Sequence, residues 1–161
     1  YFMVISDKTA SLLETCCQIG ALSAVDNKDY YEAMRAYGEA LGIAFQIRDD
    51  ILDYEGSLSV TGKPVGGDIK EKKITLPLIY ALNKVSKEEA AAIRKIIKKG
   101  SDKQKVKEVI DFVHRNDGIN YAYETAQKFA AKAKEAISIL PASESKTALE
   151  KLVDFVIDRN N

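Results

Sequence analysis

The spacing of apolar residues constrains this chain more than any other feature. Over most of its 161 residues, apolar side chains recur every three or four positions, which is the period of an amphipathic helix. Strand-like alternation is nearly absent, and only three prolines and nine glycines occur. A chain of this length can bury a real core. The sequence therefore predicts one all-α domain over residues 1–161.

Breaks in the pattern divide the chain into predicted helices. Pro77 lies in a first helical turn, and capping boxes begin at Ser86 and Ser101, with Gly100 as a stop between them. Asp117-Gly118 breaks the chain again, and Pro141 ends the helix before it. The predicted helices cover residues 3–24, 29–54, 76–83, 86–99, 101–116, 118–140 and 142–159.

One long segment does not fit this helical pattern. Residues 55–75, EGSLSVTGKPVGGDIKEKKIT, are charged and rich in glycine, and they read as a loop between two helices. Loops longer than about 12–15 residues in compact domains are usually functional or disordered. We therefore expect this loop to contribute to a functional site.

Composition and cysteine usage narrow the possible environments. The chain has 24 basic and 24 acidic side chains, so its charge does not favour nucleic acid as a partner. No apolar run approaches the roughly 20 residues of a membrane-spanning helix. Cys16 and Cys17 are adjacent, where a mutual disulfide would be strained, so a reducing cytoplasmic location is expected. The apolar start without Met predicts a fragment that begins inside a helix.

Three aspartates share one face of the predicted helix 29–54. At about 100° per residue, Asp49, Asp50 and Asp53 fall with Gln46 in one narrow arc of an otherwise apolar helix. Like charges one turn apart repel, so a cation is expected against them. Hard carboxylate oxygens, with no histidine or thiolate nearby, favour Mg²⁺ bridged to substrate phosphates. The alternative is a solvated acidic face.

Lysines accompany this acidic stripe. Lys63 and Lys73 lie among the glycines of the long loop, and Lys8-Thr9 near the start offers another cation beside a hydroxyl. Flexible cations and glycine backbone suit a polyanion such as diphosphate. The sequence thus predicts a metal-bridged phosphate site.

Four further segments of the chain occur in a recognisable order and spacing. They are KTASLL (8–13), GIAFQIRDDILD (42–53), GKPVGGD (62–68) and KITLPL (73–78). Together they resemble the trans-type isoprenyl (polyprenyl) diphosphate synthases. The chain's ending, AKEAISILPASESKTALEKLVDFVIDR, is also similar to that family, so the resemblance covers nearly the whole chain. The implied fold is the C-terminal part of the isoprenoid synthase helical bundle.

The resemblance implies a Mg²⁺-dependent prenyltransferase. In this family an allylic diphosphate ionises, the carbocation alkylates isopentenyl diphosphate, and loss of a proton gives a longer trans product. The implied metal ligands are the second aspartate-rich motif, Asp49, Asp50 and Asp53, with Asp49 and Asp53 foremost. A site closed to water is required because water would quench the cation.

The resemblance also implies roles for residues outside the aspartate stripe. Lys8, Lys63 and Lys73 would contact the allylic diphosphate. Thr9 and Gln46 would lie beside the reacting carbons, where their dipoles stabilise the passing cation. Lys8, Thr9 and Gln46 are thus the implied catalytic residues, and Lys8, Gln46, Lys63 and Lys73 the implied substrate-binding residues.

This sequence departs from the family in lacking a first aspartate-rich motif and the basic residues for isopentenyl diphosphate. It is therefore expected to be a C-terminal half, inactive without the N-terminal half, and a homodimer by family resemblance. The motifs favour a medium- or long-chain, octaprenyl-like synthase over a farnesyl synthase. The alternatives are a non-catalytic partner subunit of a heteromeric synthase, a terpene cyclase and a plain helical interaction module.

Overall fold

A computed structural model describes residues 1–55, 65–99 and 102–159, and every regular element in these ranges is helical. The all-α prediction is confirmed for this part of the chain. No helix in the described ranges is long and apolar enough to cross a membrane. The α-helices are α1 (Phe2–Ile5), α2 (Ser11–Ala24), α3 (Lys28–Glu55), α4 (Gly67–Lys70), α5 (Leu76–Lys84), α6 (Lys87–Lys99), α7 (Lys103–Arg115), α8 (Gly118–Ala136) and α9 (Glu144–Asp158).

Two irregular turns modify the predicted helices. A π-helical turn, Ser6–Ala10, separates α1 from α2, so the predicted helix 3–24 is interrupted. A 3₁₀ turn, Ile137–Ile139, follows α8, and Leu140 is extended. The predicted end of this helix at residue 140 is therefore wrong by one turn, because a residue before proline is pushed out of the α region.

The helix starts confirm Ser86 as the cap of one predicted capping box and correct the cap of the other. The Ser86 hydroxyl accepts a hydrogen bond from the Glu89 backbone N–H at 3.2 Å, ahead of α6. At the start of α7 the cap is Asp102, whose carboxylate accepts from the Lys105 N–H at 2.9 Å. Gly100 and Ser101 lie outside the described residues. The predicted loop 55–75 contains the short helix α4 in its second half, and its residues 56–64 are not described.

The described chain forms two compact units. The first consists of Tyr1–Arg48 and Thr125–Arg159, and the second consists of Asp49–Glu124. Helices α3 and α8 each contribute residues to both units.

In the first unit, α2 lies very close to α3. A Cβ atom at Gly38 would lie 2.6 Å from the Leu13 carbonyl oxygen, and one at Gly42 would lie 2.5 Å from the Ala10 Cα. Only glycine permits this approach, because the obstructing atoms belong to the backbone. The two glycines inside a helix are therefore explained by helix packing.

Helix α3 also holds α9 in the first unit. The buried Tyr37 hydroxyl donates to the Leu149 carbonyl at 2.9 Å. Buried Arg48 donates to the carbonyls of Ile157 and Arg159 at 3.0 and 2.9 Å, near the end of α9. A cation at a helix C-terminus satisfies carbonyls that have no partner inside the helix.

The second unit has its own apolar core. Gly118, at the start of α8, packs against the Pro77 carbonyl of α5, and a side chain there would collide with it. The rings of Tyr80 and Tyr121 stack with their centroids 4.0 Å apart. The side chains of Ile69, Leu78, Val109, Phe112 and Val113 are fully buried or nearly so.

Candidate functional site

The π-helical turn presents the Lys8-Thr9 pair. Lys8 is exposed and Thr9 is half-buried. The Thr9 hydroxyl donates to the Gln46 side-chain oxygen at 2.9 Å, and Gln46 is buried. These two residues, predicted to lie beside the same reacting carbons, are thus in direct contact although 37 positions separate them. Single π turns inside helices are frequent at functional sites.

The three aspartates of α3 differ in exposure. Asp49 is exposed, Asp53 is half-buried, and Asp50 is only 5% exposed. Within residues 1–55, 65–99 and 102–159, no group of three or more histidine, cysteine, aspartate or glutamate side chains is arranged to hold a metal ion.

Asp53 binds three consecutive backbone amides. Its carbonyl oxygen accepts from the Gly66 N–H at 2.9 Å. One carboxylate oxygen accepts from the Gly67 N–H at 2.9 Å, and the other accepts from the Asp68 N–H at 3.0 Å. This residue therefore fixes the start of α4 in the second unit.

Two glycines make this arrangement possible. Gly66 has a φ of 80°, in the left-handed region, and a side chain there would collide with Val106 of α7. A Cβ at Gly67 would lie 3.2 Å from the Asp53 carboxylate. The sequence indicated that these glycines let the backbone approach oxygen atoms, and the oxygens observed beside them belong to Asp53.

Burial is the largest influence on the pKa of the Asp53 carboxyl. It raises the pKa of this carboxyl above its ordinary value, and the negative charges of Asp68 and Asp49 act in the same direction. The amide hydrogen bonds from Asp68 and Gly67 oppose the rise, because they favour the charged form. A positive group brought against this carboxylate would lower its pKa.

Lys73 lies beyond α4 and is paired with acidic side chains. Its ammonium group lies 2.6 Å from Glu71 and 3.3 Å from Asp68. Hydrogen bonds to Glu71 and Asp68 raise the pKa of Lys73 and keep it protonated. Of the other predicted lysines, Lys63 lies outside the described residues, and Lys8 belongs to the first unit.

Several contributors to this site were not predicted as such. Asp68 links the Asp53 amide contacts to Lys73, and Tyr54 places its hydroxyl 3.0 Å from that of Thr75. Burial raises the pKa of Tyr54, so this hydroxyl keeps its proton. The GGD motif gave a signal for Asp68, whereas nothing in the spacing of Tyr54 and Thr75 indicated their contact.

Comparisons with known proteins identify the class to which these helices belong. The family model of the polyprenyl synthetases matches residues 1–113. The chain is 40% identical to an octaprenyl diphosphate synthase of Haemophilus influenzae over 160 residues, covering 99% of this chain and 49% of that protein. It is 34% identical over 161 residues to a short chain isoprenyl diphosphate synthase of Methanothermobacter thermautotrophicus, covering 100% of this chain and 49% of that protein.

A solved structure extends the similarity to the fold. The crystal structure of a polyprenyl synthase from Caulobacter crescentus, complexed with calcium and isoprenyl diphosphate, superposes with a TM-score of 0.92 at 33% identity. It matches 100% of this chain and 49% of that chain. The chain therefore belongs to the polyprenyl synthetase family, as the four sequence motifs indicated. It spans about half the length of the relatives it matches.

Proposed function

We propose that this chain supplies the C-terminal half of a trans-prenyltransferase, which joins an allylic prenyl diphosphate to isopentenyl diphosphate. The observation that carries the proposal is the presence of Gln46, Asp49 and Asp53 at helical spacing on α3, in a chain that matches family members over nearly its whole length. The other half of the family fold would supply the isopentenyl diphosphate site. Octaprenyl and short-chain relatives are both similar to this chain.

The donor set of α3 fits a hard divalent cation. Asp49, Asp50 and Asp53 offer only carboxylate oxygens, and oxygen ligands suit Mg²⁺. Asp50 is buried and Asp53 already accepts two amide hydrogen bonds. Asp49, which is exposed, is therefore the carboxylate best placed to take the metal. When bound, Mg²⁺ would neutralise charge that develops on a departing diphosphate.

The cationic side chains have a related task. Lys8 and Lys73 are exposed ammonium groups, and together with Lys63 they would bind diphosphate oxygens and lower the barrier to ionisation. Thr9 and Gln46 have a different role, since neither is charged. Their contact holds the Gln46 side-chain dipole in a fixed orientation, in which it stabilises an allylic cation without reacting with it.

Asp49→Ala tests this assignment in a polypeptide that carries both halves of the family fold. Prenyl transfer from an allylic primer to labelled isopentenyl diphosphate should fall by about 10²-fold or more, since a metal ligand is lost. Asp111→Ala, an exposed aspartate on α7, is the matched control and should retain activity. Wild-type turnover by Asp49→Ala would exclude the metal role of this residue.

The 161-residue chain alone should form no product in the same assay. Addition of the other half as a separate polypeptide should restore prenyl transfer. If the reconstituted pair stays inactive while Asp49→Ala has no effect on the two-half polypeptide, a non-catalytic partner subunit becomes the better account. Homodimerisation and a cytoplasmic location are part of the same proposal, and sedimentation and cell fractionation test them.

A further inference from the structure

Residues 66–75, here called the lysine segment, are held at both ends by the last turn of α3. At one end, Asp53 accepts hydrogen bonds from the N–H groups of Gly66, Gly67 and Asp68. At the other end, the hydroxyls of Tyr54 and Thr75 lie 3.0 Å apart and both residues are buried. Two consecutive residues of one helix thus fix both ends of a ten-residue segment.

Lys73 lies inside the lysine segment and is tied to Asp68. The Lys73 backbone N–H donates to the Asp68 carbonyl at 2.8 Å. Its ammonium group lies 3.3 Å from the Asp68 carboxylate. The Lys73 backbone therefore depends on where Asp68 sits, and Asp53 fixes Asp68 through its amide. The ammonium group of Lys73 is shared between Asp68 and Glu71, which lies at 2.6 Å.

We propose that Asp53 is a positioning residue, which sets the place of Lys73 through Gly67 and Asp68 and is not a ligand of the metal. The proposal rests on the proposed function, in which Lys73 contacts the allylic diphosphate. It gives Asp53 and Asp49 different roles, although the two residues lie one turn apart on the same face of one helix.

The contacts of Asp53 distinguish the two roles. Both of its carboxylate oxygens are directed at backbone amides, at 2.9 and 3.0 Å, and hydrogen bonds to a charged acceptor are the stronger kind. Gly67 brings its backbone to the carboxylate at a distance that a larger residue would disturb. Asp49 is exposed, so its carboxylate is accessible to an ion from solvent.

Amide hydrogen exchange on the ¹⁵N-labelled chain, in buffer with EDTA, tests the positioning role without metal. Asp53→Ala should speed exchange of the Gly67 and Asp68 amides by about tenfold or more, because two charge-assisted hydrogen bonds are lost. Asp53→Asn has a single acceptor oxygen and should protect one of the two amides. Asp49→Ala, the matched removal of a charge from the same helix, should leave both rates unchanged.

The same variants give opposite results if Asp53 is only a metal ligand. Without metal, Asp53→Ala would then exchange like wild type, and this result would overturn the proposal. Tyr54→Phe is a second test, at the Thr75 end of the lysine segment. It should speed exchange near Thr75 but not at Gly67, since it removes only the hydroxyl at the other end.

A double-mutant cycle in the prenyl transfer assay, carried out in the polypeptide with both halves of the family fold, tests whether Asp53 acts through Lys73. Asp53→Ala should raise KM for the allylic diphosphate, and adding it to Lys73→Ala should raise KM no further. Independent, multiplicative effects together with a higher Mg²⁺ requirement for Asp53→Ala would overturn the proposal. Absence of product from every form would overturn the proposed function instead, and the exchange rates would still decide the role of Asp53.

Discussion

Tyr37 illustrates how one buried hydroxyl ties stability to pH. Burial raises its pKa from 10.0 to about 12. Between these values the unfolded chain loses the phenolic proton while the folded chain keeps it, so stability falls as pH rises through this range. Below pH 10 the hydroxyl is protonated in both states, so its contribution to stability is fully present. Urea unfolding of wild type and Tyr37→Phe at pH 9, 10 and 11 should show a shallower decline for the variant.

Loss of the Tyr37 hydrogen bond to Leu149 sets the difference in free energy of unfolding between wild type and Tyr37→Phe. Tyr37→Phe should be less stable at pH 9 by about 1 kcal/mol, the net value of a typical hydrogen bond. The difference should narrow towards pH 11. Parallel pH profiles for the two proteins would contradict the role given to the Tyr37 proton.

Thr9 offers a second test at the level of one side chain. Thr9→Val keeps the shape and removes the donor to Gln46, whose side chain is buried, so the free energy of unfolding should fall by about 1–3 kcal/mol. Thr15→Val is the control, since the exposed Thr15 hydroxyl donates to the Ser11 carbonyl of its own helix. Equal losses of unfolding free energy in the two variants, measured by urea unfolding, would show that the Thr9 contact contributes no more to stability than an exposed hydrogen bond.

Helix packing can be tested with two glycines of opposite surroundings. Gly38 of α3 lies against the α2 backbone, whereas no described atom outside its own helix lies within 4 Å of a Cβ placed at Gly20 in α2. Gly38→Ala should cost about 1–3 kcal/mol through overpacking. Gly20→Ala should gain up to about 1 kcal/mol from helix propensity. Thermal unfolding of both variants checks the difference, and a stabilised Gly38→Ala would contradict the close approach.

The sequence predicted most helices because apolar periodicity and caps are local properties of the chain. It did not predict the turn Ser6–Ala10, because a single π turn leaves no signature in residue spacing. It placed Asp53 on a helix, as observed, while its role in a metal site stays a prediction. The amide contacts of Asp53 could not be read from it, because they join α3 to residues on the far side of a glycine-rich segment whose path the periodicity does not define.

At the scale of the whole molecule, exposed apolar side chains on the outer face of α2 predict that copies of the chain associate. Leu12, Ile19 and Leu22 lie on this face and are 69%, 60% and 62% exposed. Clustered apolar side chains of this kind are typical of an interaction surface. Ile19→Glu should weaken self-association of the chain by about tenfold or more, since one buried Ile contributes about 1.5–3 kcal/mol. Sedimentation equilibrium measures the change.

A control outside this face makes the association experiment specific. Ile139→Glu introduces the same charge at an exposed apolar position that is not part of α2. It should leave the sedimentation behaviour of the chain unchanged. Monomeric wild type, or equal effects of both substitutions, would show that α2 is not the surface through which copies associate.

The division of the chain also bears on the order in which it folds during translation. The described part of the second unit, residues 49–124, is continuous, so all of it is synthesised before α9 begins. The first unit joins residues 1–48 to residues 125–159, and its bonds from Tyr37 and Arg48 span 109 to 112 positions. Until α9 emerges, the lysine segment and its Asp53 contacts can form, but the carbonyl partners of Tyr37 and Arg48 have not yet been made. A nascent chain of residues 1–143, carried clear of the ribosome by an added C-terminal linker that fills the exit tunnel, should therefore protect the second unit from protease and leave the N-terminal helices open to cleavage.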